Sequence, residues 1–169
     1  MADSLFVIDS TFLLETSHST FYGAPLLHDS SGRDTTMLFG FVLDLLRLRK
    51  QLGMRKAVIV IGDTGSCVPA PLVSDTIDLL GRLRVPVLHA KGMRVGDLCA
   101  ALAAHCTWIV TGNTAMLQLI NDRCSVIVPK KGDGLEGITV ASIKARFGVS
   151  DQSLSQLRCR LPSGYGRCH

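Results

Sequence analysis

Asp9, Asp63 and Asp97 each stand in the segment that follows a β-rich apolar run, and a fourth run ends in Thr111-Gly112-Asn113-Thr114-Ala115. An open parallel sheet binds ligands outside the carboxyl ends of its strands, where the strand order reverses. Three carboxylates gathered on such a rim would hold Mg²⁺ or Mn²⁺ and suit phosphodiester chemistry. Asp is equally at home capping turns and helices, so residue type alone leaves both roles open. The fourth turn is the odd one. An acid-dependent enzyme of this architecture would want carboxylates there, and the chain has an amide at Asn113 and a methyl group at Ala115.

The elements that must position these residues are legible from the pattern. Five short runs, Leu5–Ile8, Val58–Ile61, Val85–Leu88, Trp108–Val110 and Ser125–Val128, are nearly continuous in apolar residues. That is the signature of parallel strands covered on both faces rather than of half-exposed ones. Between them lie helical stripes. Leu38, Phe41, Val42, Leu45, Leu46, Leu48 and Leu52 form one that ends at Gly53; Leu72 to Leu83 carries a second; Leu98 to His105 a third; Met116 to Ile120 a short fourth. A last helix is expected over Thr139–Phe147. Strand–helix alternation at this spacing predicts an α/β domain: a central, mostly parallel five-stranded sheet with helices on both faces. Residues 18 to 35 read as a long surface loop, 62 to 71 as a short Gly/Pro-rich connection, and 129 to 137 as a basic, glycine-rich turn. Residues 1–157 form the single domain, and 158–169 an irregular basic tail.

Composition sets bounds on this reading. The chain has 169 residues, 47% of them apolar and only 5% aromatic, with a mean hydropathy of +0.31. This suits one domain with a dense aliphatic core. No apolar run reaches the roughly 18 residues of a membrane span, and no signal peptide is expected from the start of the chain. The net charge of +4 is mild; it permits a polyanionic partner without requiring one. Cys99, Cys106 and Cys124 lie among small apolar residues, as buried thiols of an intracellular, reducing compartment do. Cytoplasmic and mitochondrial locations are not distinguished. Cys159, Cys168 and His169 lack the paired spacing of a zinc site.

The order of the blocks carries a family resemblance. "LFVIDSTFLL", "LFGFVLDLLRLRK", "VPVLHAKGMRVGDLCAALA", "IVTGNTAMLQLIND" and "ITVASIKARFGVSDQSLSQL" resemble, in that order, the 5′–3′ exonuclease domain of bacterial DNA polymerase I. More broadly they look like the PIN-like, flap-endonuclease superfamily. The resemblance runs from about residue 4 to residue 157. It implies a parallel sheet bearing an acidic site that hydrolyses DNA or RNA through two divalent ions. On matching positions, Asp9 and Asp63 correspond to the family's first two acids, and Asp97 to the second of a paired Asp-Asp. The Glu preceding that pair falls on Arg94 and its first Asp on Gly96, while both acids of the TGDxD turn are replaced, by Asn113 and Ala115. Relative to that pattern the local formal charge changes by about five units. The basic arch that follows the family's second acid is missing too, because Cys67 to Pro71 leads almost directly into the next helix.

The resemblance therefore implies a catalytically inactive, exonuclease-like domain that serves as a nucleic-acid-binding or scaffolding subunit of a larger assembly, such as a ribonucleoprotein. Arg94, Lys130, Lys131, Lys144 and Arg146 are the candidate nucleic-acid contacts. Two alternatives stand beside it. One is a residual metal-dependent 5′ nuclease using Asp9, Asp63 and Asp97 with one weakly held Mg²⁺ or Mn²⁺. The other is a purely protein-binding subunit docking through apolar surface. No cofactor is required by the first reading, and no membrane partner by any of them. Arg94 has two possible roles: counterion to Asp97 or Asp63 in the emptied site, or partner of a phosphate.

Overall fold

The computed structural model describes residues 4–21, 25–62, 68–130 and 134–147. Six strands form one sheet: β1 (Leu5–Asp9), β2 (Lys56–Ile61), β3 (Val87–His89), β4 (Trp108–Val110), β5 (Ser125–Pro129) and β6 (Leu135–Ile138). Their spatial order is β3-β2-β1-β4-β5-β6. β1 to β5 pair in parallel, and β6 adds antiparallel to β5. The chain moves outward from β1 through β2 to β3, then returns to build β4 and β5 on the other side. The strand order thus reverses between β1 and β4, which is where such sheets hold their ligands.

Alternation along the strands divides the core into two layers. Phe6, Ile8, Ile59, Ile61, Val110 and Ile127 point to one face, where they meet Leu13 and Leu14 of α1 (Ser10–Phe21), Phe41 and Leu48 of α2 (Thr36–Leu52) and Leu80 of α3 (Ala70–Arg82). Val7, Val60, Ile109 and Val126 point to the other. There they pack on Leu98 and Cys99 of α4 (Val95–Leu102), Met116 and Ile120 of the segment after β4, and Ile143 of α5 (Val140–Phe147). Both faces of the central strands are dry, which is why their sequences are continuously apolar.

Local chemistry explains the boundaries. α2 ends where Gly53 takes the left-handed conformation at φ 59°, letting the Met54 amide donate to the Arg49 carbonyl at 3.1 Å in a glycine-terminated cap. β3 begins at Val87 rather than the expected Val85: Pro86 has no N–H to contribute to a ladder, though its carbonyl accepts from Ile59 at 2.9 Å. At the start of α5, the Thr139 and Ser142 hydroxyls exchange hydrogen bonds with each other's backbone amides at 3.2 and 3.3 Å.

Several expectations need correction. The turn expected over 129 to 137 contains β6, an edge strand whose Gly137 leaves a Cβ-sized gap 3.7 Å from the Trp108 ring. The loop expected from residue 18 starts later, since α1 runs to Phe21. The third helix stops at Leu102, before His105, and the short fourth one is a 3-10 turn over Thr114–Leu119. The tail at 158–169 and the boundary at 157 lie outside the described residues.

Gly62, just past β2, is the tightest backbone approach on the α4 face. A Cβ there would fall on the Val95 amide and 2.7 Å from the Arg94 carbonyl carbon. These are backbone atoms that cannot rotate aside, so Gly62→Ala should destabilise the fold by about 1–3 kcal/mol, the usual range for overpacking. Urea unfolding of the two proteins checks this; equal midpoints would contradict the close packing of α4 on β2.

Candidate functional site

Asp9 ends β1, and the β1–β4 register, with Ile8 opposite Val110, sets Thr111 beside it on the same face. The Thr111 hydroxyl donates to Asp9 Oδ2 at 2.7 Å. The other carboxylate oxygen, Oδ1, accepts from the Phe12 amide in the first turn of α1 at 3.2 Å. Asp9 is 2% exposed. Burial pushes its carboxyl above the usual range, while the bonds from Thr111 and the Phe12 and Thr11 amides oppose the rise. Glu15, half-buried one helical turn further along α1, is also raised, first by burial and then by the Asp9 charge. Immediately after Asp9, the Ser10 hydroxyl is buried without a hydrogen-bond partner.

The turn after β4 is closed by its own side chains. Thr111 Oγ1 accepts from the Asn113 amide at 2.9 Å, and Asn113 Oδ1 accepts from the Ala115 amide at 2.8 Å. Asn113 is thereby the N-cap of the 3-10 turn, the role its residue type favours. Gly112 has no room for a side chain, because the Phe12 ring lies where its Cβ would be. Gly96 of α4 faces the Met116 methyl, which a Cβ would approach to 3.3 Å. Together with Gly62 against Arg94 and Val95, these contacts gather the ends of β1, β2 and β4 and the start of α4 on one rim.

Arg94 and Asp97 stand on that rim facing solvent. Arg94 Nε pairs with Asp97 Oδ2 at 3.3 Å, with side-chain exposures of 84% and 51%. Of the two acids expected as its partners, Asp97 is the one Arg94 meets among the described residues, and because that carboxylate is half-exposed the pair is a surface ion pair. Asp63 and Lys131 lie outside the described residues. Lys130, at the end of β5, is ion-paired with Glu136 of β6. Lys144 and Arg146 belong to α5, which starts from the opposite end of the sheet, after β6. Among the described residues, Arg94, Lys130 and Lys144 thus belong to three different parts of the fold.

Two divalent ions about 4 Å apart demand several acidic oxygen ligands. The described rim offers one buried carboxylate with both oxygens engaged, one tied to a guanidinium, an amide oxygen committed to a cap, and the Ala115 methyl. That donor set does not fit a two-ion centre. Among the described residues, no group of three or more His, Cys, Asp and Glu side chains is arranged to hold a metal.

Sequence reasoning passed over Thr111 and Phe12, which secure Asp9, and a cleft beside them. This cleft of about 260 Å³ lies between α1, α2 and the β5–β6 pair and is lined by Phe12, Leu13, Arg47, Leu48, Lys130 and Leu135. The signal for Thr111 was present in the strand ends: two runs that pair in parallel must set the residues that follow them side by side. The cleft had none, since its walls come from three separate segments, 12–16, 44–51 and 129–135.

No family profile matches the chain. It is similar to the thermostable DNA polymerase I of Thermus filiformis, 28% identical over 161 residues, covering 79% of this chain and 18% of the polymerase. DNA polymerase I of Bacillus caldotenax is 21% identical over 183 residues, covering 94% and 20%. The chain thus spans about a fifth of these relatives' length. Among solved structures, the catalytic core of Rad2 in complex with DNA substrate superposes with a TM-score of 0.63 at 14% identity, over 90% of this chain and 52% of that one. The T5 D15 protein co-crystallized with metal ions gives 0.61 at 12% identity, over 86% and 61%. At such identities the likeness is one of fold. No helix among the described residues is long and apolar enough to cross a membrane.

Two measurements probe the rim. An acid whose folded pKa lies above its unfolded value, about 3.9 for Asp, loses stability as pH rises through that interval. Asp9→Asn keeps an acceptor for the Phe12 amide and removes the buried charge. It should therefore raise Tm at neutral pH and flatten the decline in stability that begins above about pH 4. Thermal melts across that range decide, and a variant less stable than the parent near neutrality contradicts the burial argument. Arg94→Ala should change stability by less than about 1 kcal/mol, as exposed pairs do. In a denaturant titration, a loss near 3 kcal/mol, roughly that of a broken buried pair, would return Arg94 to the role of internal counterion.

Proposed function

We propose that the chain, which is similar to part of bacterial DNA polymerase I and shares the fold of Rad2 and T5 D15, is a degenerate, catalytically inactive member of the PIN-like, flap-endonuclease superfamily that binds single-stranded nucleic acid as a subunit of a larger assembly. The observation that carries this reading is the state of the turn after β4. Where the family resemblance places two acids, Asn113 spends its oxygen on the Ala115 amide and Ala115 has no donor at all. A solvent-facing guanidinium, Arg94, replaces a further acid on the same rim, and guanidinium is the side chain best shaped for phosphate. The neighbouring cleft, with a Phe12 and Leu48 wall beside Arg47 and Lys130, is of a size and chemistry to receive a base and its phosphate. The Rad2 structures of the same fold are complexes with DNA substrate, which supports nucleic acid as the ligand class. The free thiols Cys99, Cys106 and Cys124 fit a reducing, intracellular setting.

A second reading rests on a separate observation. Phe39, Leu43 and Leu46 follow one another along the outer face of α2 and are 47%, 41% and 52% exposed, with Leu26 and Leu27 also exposed at 59% and 41%. A run of apolar side chains on a solvent face marks a docking surface, so a protein subunit of the same assembly would be seated there.

The test combines binding and turnover. Fluorescence anisotropy with labelled single-stranded RNA and DNA should show binding that weakens severalfold in Arg94→Ala, with a salt slope lower by about one ion. The same oligonucleotides, and a 5′-flap duplex, should survive incubation with Mg²⁺ or Mn²⁺. Divalent-dependent cleavage that Asp9→Asn abolishes would establish the residual nuclease instead. No binding up to about 100 µM, the weak end of non-specific affinity, would leave protein docking as the function.

A further inference from the structure

β4 and β5 run side by side, with Trp108 opposite Ser125 and Ile109 opposite Val126. Cys106 lies two residues before β4 and Cys124 one before β5, and the Ser125 amide donates to the Thr107 carbonyl at 3.0 Å. The two cysteines are therefore set across neighbouring strand entries, at the end of the sheet away from the Asp9 rim. Their sulfurs are 3.4 Å apart and their side chains 3% and 0% exposed. That separation is an S–H···S contact, since a disulfide is about 2.05 Å long. The register sets Cys124 opposite Thr107, so Cys106 is its diagonal neighbour. With strands about 4.8 Å apart and a rise of about 3.3 Å per residue, the Cα atoms are separated by about 6 Å, within the roughly 4.4–6.8 Å that disulfides span. Bonding the sulfurs requires rotation of side chains and a small shift, not a rearranged backbone.

The thiols are also differentiated. The hydrogen bond with Cys124 holds the Cys106 thiol below the ordinary range, while the same contact and burial push Cys124 up. Cys99, the third buried thiol, is pushed up by burial and by the Asp9 charge. Cys106 is also the less deeply buried of the pair and so is the sulfur that attacks first, as the thiolate.

We propose that Cys106 and Cys124 form a dithiol–disulfide site that exchanges with a small-molecule disulfide, glutathione disulfide being the probe, when local opening of the two strand entries exposes Cys106. Cys106 thiolate attacks one glutathione sulfur, breaking the S–S bond and releasing a glutathione thiolate that takes up a proton. Cys124, deprotonated in turn, attacks the Cys106 sulfur of the mixed disulfide and expels the second glutathione. Two electrons and two protons leave the protein, and two molecules of glutathione are formed. The bridge closes a loop between residues 18 positions apart that contains Thr111, Asn113 and the 3-10 turn. Oxidation thus pins the segment that supplies the hydrogen bond to Asp9. The inference is independent of the nucleic-acid reading and stands on the sulfur geometry.

The experiment uses the full chain with Cys67→Ser, Cys159→Ser and Cys168→Ser, leaving the three buried thiols. The folded protein is incubated with glutathione disulfide, alkylated after denaturation, and digested with chymotrypsin, which cuts after Leu102 and so separates Cys99 from Cys106. The expected products are a Cys106–Cys124 linked peptide pair lost on adding dithiothreitol, an alkylated Cys99, and a Tm higher by about 5 °C or more in the oxidised protein. Cys124→Ser in the same background should instead accumulate the glutathione adduct on Cys106. If that variant fails to fold, the peptide map of its parent still decides. Three results overturn the proposal: a bridge to Cys99, a bridge that appears only above the melting transition, or both thiols remaining alkylatable after prolonged exposure of the folded protein.

Discussion

The carboxylate of Asp9 is the group around which this rim is built. It sits at the point where the strand order reverses, is almost wholly removed from water, and is held by a hydroxyl 102 positions away in sequence. An ionised carboxyl in such a place is stabilised by its donors and destabilised by its lost hydration, and here desolvation is the larger effect. The Thr111 hydroxyl both donates to Asp9 and accepts from the Asn113 amide. Asn113 in turn accepts from Ala115. The chain of bonds therefore links β1 to the turn after β4 and ends at the half-buried Ala115 amide. Polar groups that in a metal centre would face an ion are here turned inward on one another.

Close backbone approach is the second constraint, and it follows from the first. For β1, β2 and β4 to bring their ends together beneath α4, Gly62 must lie against the Arg94–Val95 backbone and Gly112 beneath the Phe12 ring. Phe12 serves three purposes: its amide holds Asp9, its ring covers Gly112, and its side chain walls the cleft beside the rim. The rim is thus held together by packing requirements that do not depend on further acids. None of these contacts involves the Asn113 amide or the Ala115 methyl, so residue type at those two positions is free to vary without disturbing them.

What remains on the outside is charge and apolar surface. Arg94 carries its guanidinium into solvent at the rim, while Arg47 and Lys130 line the adjacent cleft. On the other side of α2, Phe39, Leu43 and Leu46 face water. The cleft and this apolar run lie on different sides of α2, with Arg47 and Leu48 on one and Phe39, Leu43 and Leu46 on the other.

The amino-acid sequence by itself determined the features that repeat over short distances. Continuous apolar runs fixed β1, β2, β4 and β5 to within two residues, because a strand buried on both faces has no polar positions to alternate. The α2 stripe and its end at Gly53 were equally legible, being set by helical period and one left-handed residue. The amide at Asn113 and methyl at Ala115 were visible at once, since residue type needs no structure. Tertiary structure decided the rest. β6 exists because Leu135–Ile138 finds an edge of β5, not because its own sequence, with Glu136 and Gly137 inside, favours a strand. Asp9 is desolvated, Arg94 is exposed and Cys106 meets Cys124 only once distant segments close around them. Burial and the meeting of side chains far apart in sequence are properties of the packed chain, and no local period encodes them.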